Sequence, residues 1–118
     1  MLERFSHVMM YVNDLNRAVA WYVDKLGFKV SFVVPEAFAS LRHEGMRCRV
    51  DLHPSEAQGR DVGFGPIPYF ATDSFDATLA QLAAAGVKMG TPRREGGSPR
   101  FVTLWDSEGN ALGIEECP

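Results

Sequence analysis

Three histidines, one aspartate and a pair of alternating arginines carry most of the reactive chemistry in this chain. His7 lies in "FSHVMMYVND", Asp51 and His53 lie in "RCRVDLH" beside Arg47 and Arg49, and His43 ends "AFASLRH". An imidazole can ligate a metal, move a proton or contact a ligand. A guanidinium facing the same space can clamp a carboxylate or phosphate bidentately. If "HVMMYV" is a strand, His7, Met9 and Tyr11 point to one side and Val8, Met10 and Val12 to the other. The same parity brings Arg47, Arg49, Asp51, Tyr69 and Glu115 to the face of His7. Met9 can wall a pocket or simply pack; Tyr69 adds a hydroxyl that seeks a partner. Arg49 either reaches a ligand or neutralises Asp51. His7 either contacts a ligand or is hydrogen-bonded to Asp51 or a backbone carbonyl.

Other candidates are more ordinary. Trp105 could stack on an aromatic ligand, although the alternation leaves its facing open, while Trp21, on the first helix, packs against the sheet or a partner subunit. The loop "TPRREGGSPR" is either a flap bringing Arg93 or Arg94 to an anion or a solvated connection. No helix start follows its glycines, so it is no phosphate cradle. Cys48 alternates to the side opposite Asp51, which favours a structural role. Spacing reveals no serine–histidine–acid or cysteine–histidine arrangement.

The elements that must position these residues repeat. After the first strand, Asn13 or Asp14 caps a helix whose apolar stripe is Leu15, Ala18, Val19, Tyr22 and Leu26, closed by Gly27. "FKVSFVV", "AFASLRH" and "RCRVDLH" then read as three strands. The second half follows the same order: strand "IPYFATD", helix "SFDATLAQLAAAG", short strand "VKM", then the hairpin "RFVTLW"–"ALGIEE" around "DSEGN". Matching "LGF" to "AGV" and "YVND" to "FATD" gives one register of about 60 residues, an internal duplication. The expected fold is α+β: two βαβββ modules forming curved mixed sheets around a cleft, with the helices on the convex side. Residues 1–118 form a single domain, with module one over about 4–53, a Gly- and Pro-rich linker over 54–65 and module two over about 66–116.

Composition narrows the partners. The 118 residues, 46% hydrophobic, suit one domain with a modest core. A net charge of −3 offers no footprint for nucleic acid. No apolar run is long enough to cross a membrane. Two cysteines make a disulfide framework implausible and set a cytoplasmic location as the expectation. Exposed sheet edges and a curved apolar face point to a homodimer.

With that order in place, "HVMMYVNDLNRAVAWYVDKLGFKV" and "LWDSEGNALGIEE" resemble the vicinal oxygen chelate superfamily of glyoxalase I, bleomycin-resistance proteins, fosfomycin-resistance enzymes and extradiol dioxygenases. The resemblance spans roughly Arg4 to Glu116. It implies paired modules curved around a cleft, often across a dimer. Metal-dependent members draw up to four ligands from the first and last strands of each module. His7 falls on the usual histidine position and Asp51 close to the carboxylate position of module one. Ile67 stands where a second histidine is expected, and Gly113 where a glutamate is usual. Neither offers a side-chain donor, so no cofactor is expected.

The alternative is a divalent metal held by His7, Asp51 and Glu115; Glu115 lies two residues beyond Gly113 on the same strand face, and a bulge or altered register would have to bring it to the ligand position. The resemblance therefore implies a glyoxalase/bleomycin-resistance-like protein binding a small organic molecule through His7, Met9, Tyr11, Arg49, Asp51, Tyr69, Trp105 and Glu115. Its alternative is a metal-dependent glyoxalase-type lyase or isomerase, or a dioxygenase.

Overall fold

The computed structural model describes residues 1–117 and contains two four-stranded mixed sheets, each with one helix. Module one comprises β1 (His7–Val12), α1 (Leu15–Leu26), β2 (Lys29–Val34), β3 (Phe38–Arg42) and β4 (Arg49–Pro54). Module two comprises β5 (Tyr69–Thr72), α2 (Phe75–Ala84), β6 (Lys88–Met89), β7 (Phe101–Trp105) and β8 (Ala111–Glu116). The strand orders are β1-β4-β3-β2 and β5-β8-β7-β6. In both sheets the first strand runs parallel to the last, and the other pairs are antiparallel. This is the duplicated βαβββ order expected from the sequence.

Local signals account for the helix ends. Asp14, in extended backbone, accepts a hydrogen bond from the Arg17 amide at 3.0 Å and so satisfies a first-turn donor. Gly27 leaves α1 at φ 75°, a left-handed conformation that a Cβ would disfavour. The start of α2 is built differently. Ser74 makes no side-chain cap; Thr72 Oγ1 accepts its amide at 3.1 Å and pairs with Thr78 Oγ1.

Alternation fixes which face is buried. Met10 and Val12 of β1, Ala39 and Leu41 of β3, and Val50 and Leu52 of β4 turn to the core, as do Ala18 and Tyr22 of α1. Val102, Leu104, Leu112 and Ile114 do the same in module two, together with Phe75 and Leu82 of α2. Residues of both modules join one buried apolar cluster. Burial of the Val, Leu, Ile, Met and Phe side chains among them stabilises the fold by about 1.5–3 kcal/mol each, and the opposite face of each sheet is turned away from this cluster.

Polar contacts lock the modules together. The turn Asp106–Asn110 reaches into module one at three points. Tyr22 donates its hydroxyl to Asp106 Oδ2 at 2.7 Å, and Asn110 Nδ2 donates to the Tyr11 carbonyl at 2.9 Å. Glu108 accepts from the Asn13 and Asp14 amides and takes two hydrogen bonds from Arg17, at 2.8 and 3.0 Å. Burial, and then the Asp106 charge, pushes the Tyr22 hydroxyl far above its ordinary value, so it remains a donor.

Burial also pushes the Glu108 carboxyl up. Hydrogen bonds from Arg17, the Asp14 amide and Ser107 outweigh that and hold it at about 2, below its ordinary 4.5. A carboxyl lowered on folding contributes stability that is present above its unfolded value and lost as pH falls through the folded one. Denaturant unfolding should therefore show wild-type stability falling between about pH 4.5 and about 2. Glu108→Gln should be less stable at neutral pH and should lose less over that window. Parallel wild-type and variant acid limbs would refute the coupling.

Candidate functional site

The strand faces turned away from the core hold the chemistry, and the ladder register sets their neighbours. In module one, His7 lies opposite Arg49, Met9 opposite Asp51 and Tyr11 opposite His53. Ser40 of β3 is the register partner of Asp51. In module two, Tyr69 lies opposite Gly113 and Ala71 opposite Glu115. Thr103 pairs with Gly113, and Phe101 with Glu115. His7, Met9, Tyr11, Arg49, Asp51, Tyr69, Trp105 and Glu115 all stand on these open faces. Trp105 takes its facing from β7, where Val102 and Leu104 are buried and Phe101, Thr103 and Trp105 are only half-buried.

His7, Arg49 and Asp51 form one cluster. Arg49 Nη2 lies 3.3 Å from His7 Nδ1 and 3.5 Å from Asp51 Oδ2. His7 Nε2 lies 3.8 Å from the same carboxylate oxygen. A guanidinium can only donate, so Nδ1 is the acceptor and the ring proton sits on Nε2. The Ser6 hydroxyl, 2.9 Å away, faces Nδ1 as well. Asp51 is buried, at 5% exposure, although its strand face is open. Its charge is tolerated because Arg49 and His7 stand over it. Beside it, Ser40 is fully buried and its Oγ has no hydrogen-bond partner among the described residues.

Module two fills the corresponding space with an aromatic ring. A Cβ built on Gly113 would collide with Cε2, Cδ2 and Cζ of Tyr69. The Tyr69 ring therefore requires glycine at 113. It packs edge-on to Phe101 at 6.3 Å.

Two hollows open along these faces. One, of about 540 Å³, runs between β1 and the segment 61–67, with Phe5, His7, Met9, Tyr11, Phe64 and Ile67 among its walls and Asp61 and Asn110 as polar groups. It takes in His7, Met9 and Tyr11 but neither Asp51 nor Tyr69. The other, of about 200 Å³, lies between Trp105 and Arg93 on module two. Arg49 and Glu115 line neither. Tyr11 and His53 belong to a further contact group. The Tyr11 hydroxyl donates to Glu56 at 3.2 Å, and His53 Nε2 faces Glu56 at 3.7 Å. The Glu56 charge, its hydrogen bond and burial push the Tyr11 hydroxyl upward.

As arranged in one chain, these donors do not fit a divalent cation. Among the described residues, no three His, Cys, Asp or Glu side chains are grouped to hold one. The Nδ1 lone pair of His7 is taken by Arg49, Nε2 carries the proton, and a guanidinium already stands against Asp51. The glutamate position is occupied by the Tyr69 ring.

The sequence reading overlooked Ser40, although extending the alternation to "FASLR" would have placed it beside Asp51. The contact between Arg49 and His7 was also unforeseen. It joins side chains 42 positions apart and depends on the parallel register of β1 on β4.

Comparison with known proteins agrees with this architecture. The model of the Glyoxalase/Bleomycin resistance protein/Dioxygenase superfamily matches residues 4–114, and the chain belongs to that superfamily. No curated protein matches it. Among solved structures it is similar to TnmS3, an antibiotic binding protein from Streptomyces sp. CB03234, with a TM-score of 0.85 and 21% identity over 99% of this chain and 98% of that one. A superfamily member from Sphaerobacter thermophilus also gives 0.85, at 23% identity over 98% of each chain. The fosfomycin resistance protein FosX from Listeria monocytogenes, complexed with Mn(II) and 1S,2S-dihydroxypropylphosphonic acid, gives 0.78 at 16% identity, over 98% of this chain and 90% of that one. At these identities the likeness is one of fold. No helix is long and apolar enough to cross a membrane among the described residues.

The Tyr69–Gly113 contact can be tested by a double-mutant cycle. Gly113→Ala should destabilise the protein by about 1–3 kcal/mol, as overpacking does. In a Tyr69→Ala background the same change should cost far less, because the obstructing ring is gone. Equal costs in both backgrounds would show that the ring does not sit on Gly113.

Proposed function

We propose that the protein binds a small organic molecule on its open sheet faces, with no resident metal, and that two copies pair to close the cleft. The observation that carries this reading is the His7–Arg49–Asp51 cluster on an otherwise uncovered face, beside an apolar hollow of about 540 Å³. That volume falls within the roughly 300–1,000 Å³ of drug-sized sites. Apolar walls would supply affinity, and an Nε2 proton with a guanidinium beside it would orient a ligand oxygen. In this reading Arg49 is the cation of the site, doing for a ligand oxygen what a metal does elsewhere in the superfamily. The antibiotic-binding neighbour supports a binding role. The FosX neighbour, with its Mn(II), marks the alternative of metal-dependent chemistry in the same fold.

Pairing is supported by what one chain leaves uncovered. Every residue of β2 is exposed, including Phe32, Val33 and Val34, and so are Met9, Ile67 and Tyr69 on the open faces. Sedimentation should give a dimer at micromolar concentration; a monomer would remove the pairing from the proposal.

Two measurements test the function. Protein purified without added metal should carry far less than one zinc, nickel, manganese or iron per chain, and added metal should leave the thermal midpoint unchanged. A thermal-shift screen of small aromatic compounds should find binders whose affinity falls on His7→Ala while the unliganded midpoint moves little. One metal per chain that is lost on His7→Ala would establish the metal-dependent reading instead. A His7→Ala variant with a lowered midpoint and intact affinity would make His7 purely structural.

A further inference from the structure

The open face of module two carries a second arrangement with its own chemistry. Lys88 of β6 is the register partner of Trp105, and its Nζ lies 5.5 Å from the centre of that ring. Arg93 bridges to Phe101 through the backbone and holds its guanidinium carbon 5.0 Å from the Phe101 ring. A hollow of about 200 Å³ lies between Arg93 and Trp105, lined also by Gly90, Thr91, Val102 and Thr103, and Lys88 stands over Trp105 outside that lining.

The neighbouring basic side chains are already neutralised. Arg94 pairs with Glu116 at 3.4 Å, and Arg100 pairs with Asp76 and Glu116 at 3.1 and 3.0 Å. Among the described residues, neither Lys88 nor Arg93 has an ion-pair partner. The acidic side chain on this face is Glu115, the register neighbour of Phe101, and it lies within ion-pair distance of neither cation. Two cations without an ion-pair partner among the described residues thus stand over aromatic rings of β7, with Thr91 and Thr103 lining the hollow beside them.

We propose that this face recognises a planar aromatic anion, its ring stacked on Trp105 and its carboxylate or phenolate held between Lys88 and Arg93. The inference rests on the reading that the sheet faces hold a small molecule, and adds the ligand's chemical class. A cation held over a ring is one component of such a site, and a stacked ligand takes the place of Lys88 over the Trp105 ring while its own charge pairs with the displaced ammonium. The volume lies below the usual range for a drug-sized pocket, which suits a small fused-ring acid or the anionic end of a longer molecule.

Naphthalene-2-carboxylate and its uncharged amide are the probes, titrated calorimetrically into the purified 118-residue chain. The acid should bind at least about tenfold tighter than the amide, an advantage that shrinks with added salt. Lys88→Gln with Arg93→Gln should abolish the difference, and Arg94→Gln should leave it intact. All three side chains are exposed, and circular dichroism will verify the fold of each variant. If acid and amide bind equally, or the double variant retains the preference, the anion inference fails while small-molecule binding stands. If neither probe binds the wild type, the inference is overturned, and the cleft reading is decided by its own thermal-shift screen.

Discussion

The turn from Asp106 to Asn110 is the contact on which the arrangement of the two modules depends. Each module has an apolar face, and apolar faces can slide over one another. The turn removes that freedom by placing three polar side chains on directional partners in module one. Tyr22 reaches Asp106 inside the core, and Glu108 closes over the start of α1. Asn110 donates to the Tyr11 carbonyl while its Oδ1 accepts from the Gly63 amide at 2.8 Å. One amide thus ties β1, the linker and the final hairpin together at the wall of the larger hollow. Buried polar groups with all partners satisfied favour one arrangement, because any slip leaves a desolvated donor or charge without compensation.

Much of the fold was legible because strand periodicity and helix caps are local. "HVMMYV" alternates, Asp14 precedes an amphipathic run, and Gly27 ends it; none of these signals requires knowledge of a distant residue. Which strand faces lie open was legible for the same reason. The cross-module network was not. "DSEGN" reads as a turn, and nothing within it reveals that Asp106 will meet a tyrosine 84 positions earlier. The site shows the same division. Parity brought His7 and Asp51 to one face, but the orientation of the imidazole depends on Arg49 crossing from β4.

The ladder registers also specify how the duplicated halves correspond. His7 pairs with Arg49 and Met9 with Asp51, while Tyr69 pairs with Gly113 and Ala71 with Glu115. Aligned on the strand ends and the helix caps Asp14 and Ser74, His7 corresponds to Ile67, Met9 to Tyr69, Asp51 to Gly113 and His53 to Glu115. By this correspondence the carboxylate of module one gives way to glycine in module two, and Glu115 stands two residues further along β8 on the same open face. What has diverged is the last-strand residue opposite Met9 in one module and Tyr69 in the other.

That divergence gives the two faces different electrostatics. Arg49 is long and charged; it fills the space beside His7 and compensates Asp51, which can then be buried. Gly113 has no side chain, so the Tyr69 ring lies flat across the strand and the surface becomes aromatic. The Asp51 carboxylate is committed to an internal ion pair, whereas Glu115 remains half-buried without one. A single position in each module, Asp51 in one and Gly113 in the other, thus decides whether the face presents a fixed charge cluster or a ring. The two halves, built on one backbone plan, can therefore contact different parts of the same molecule.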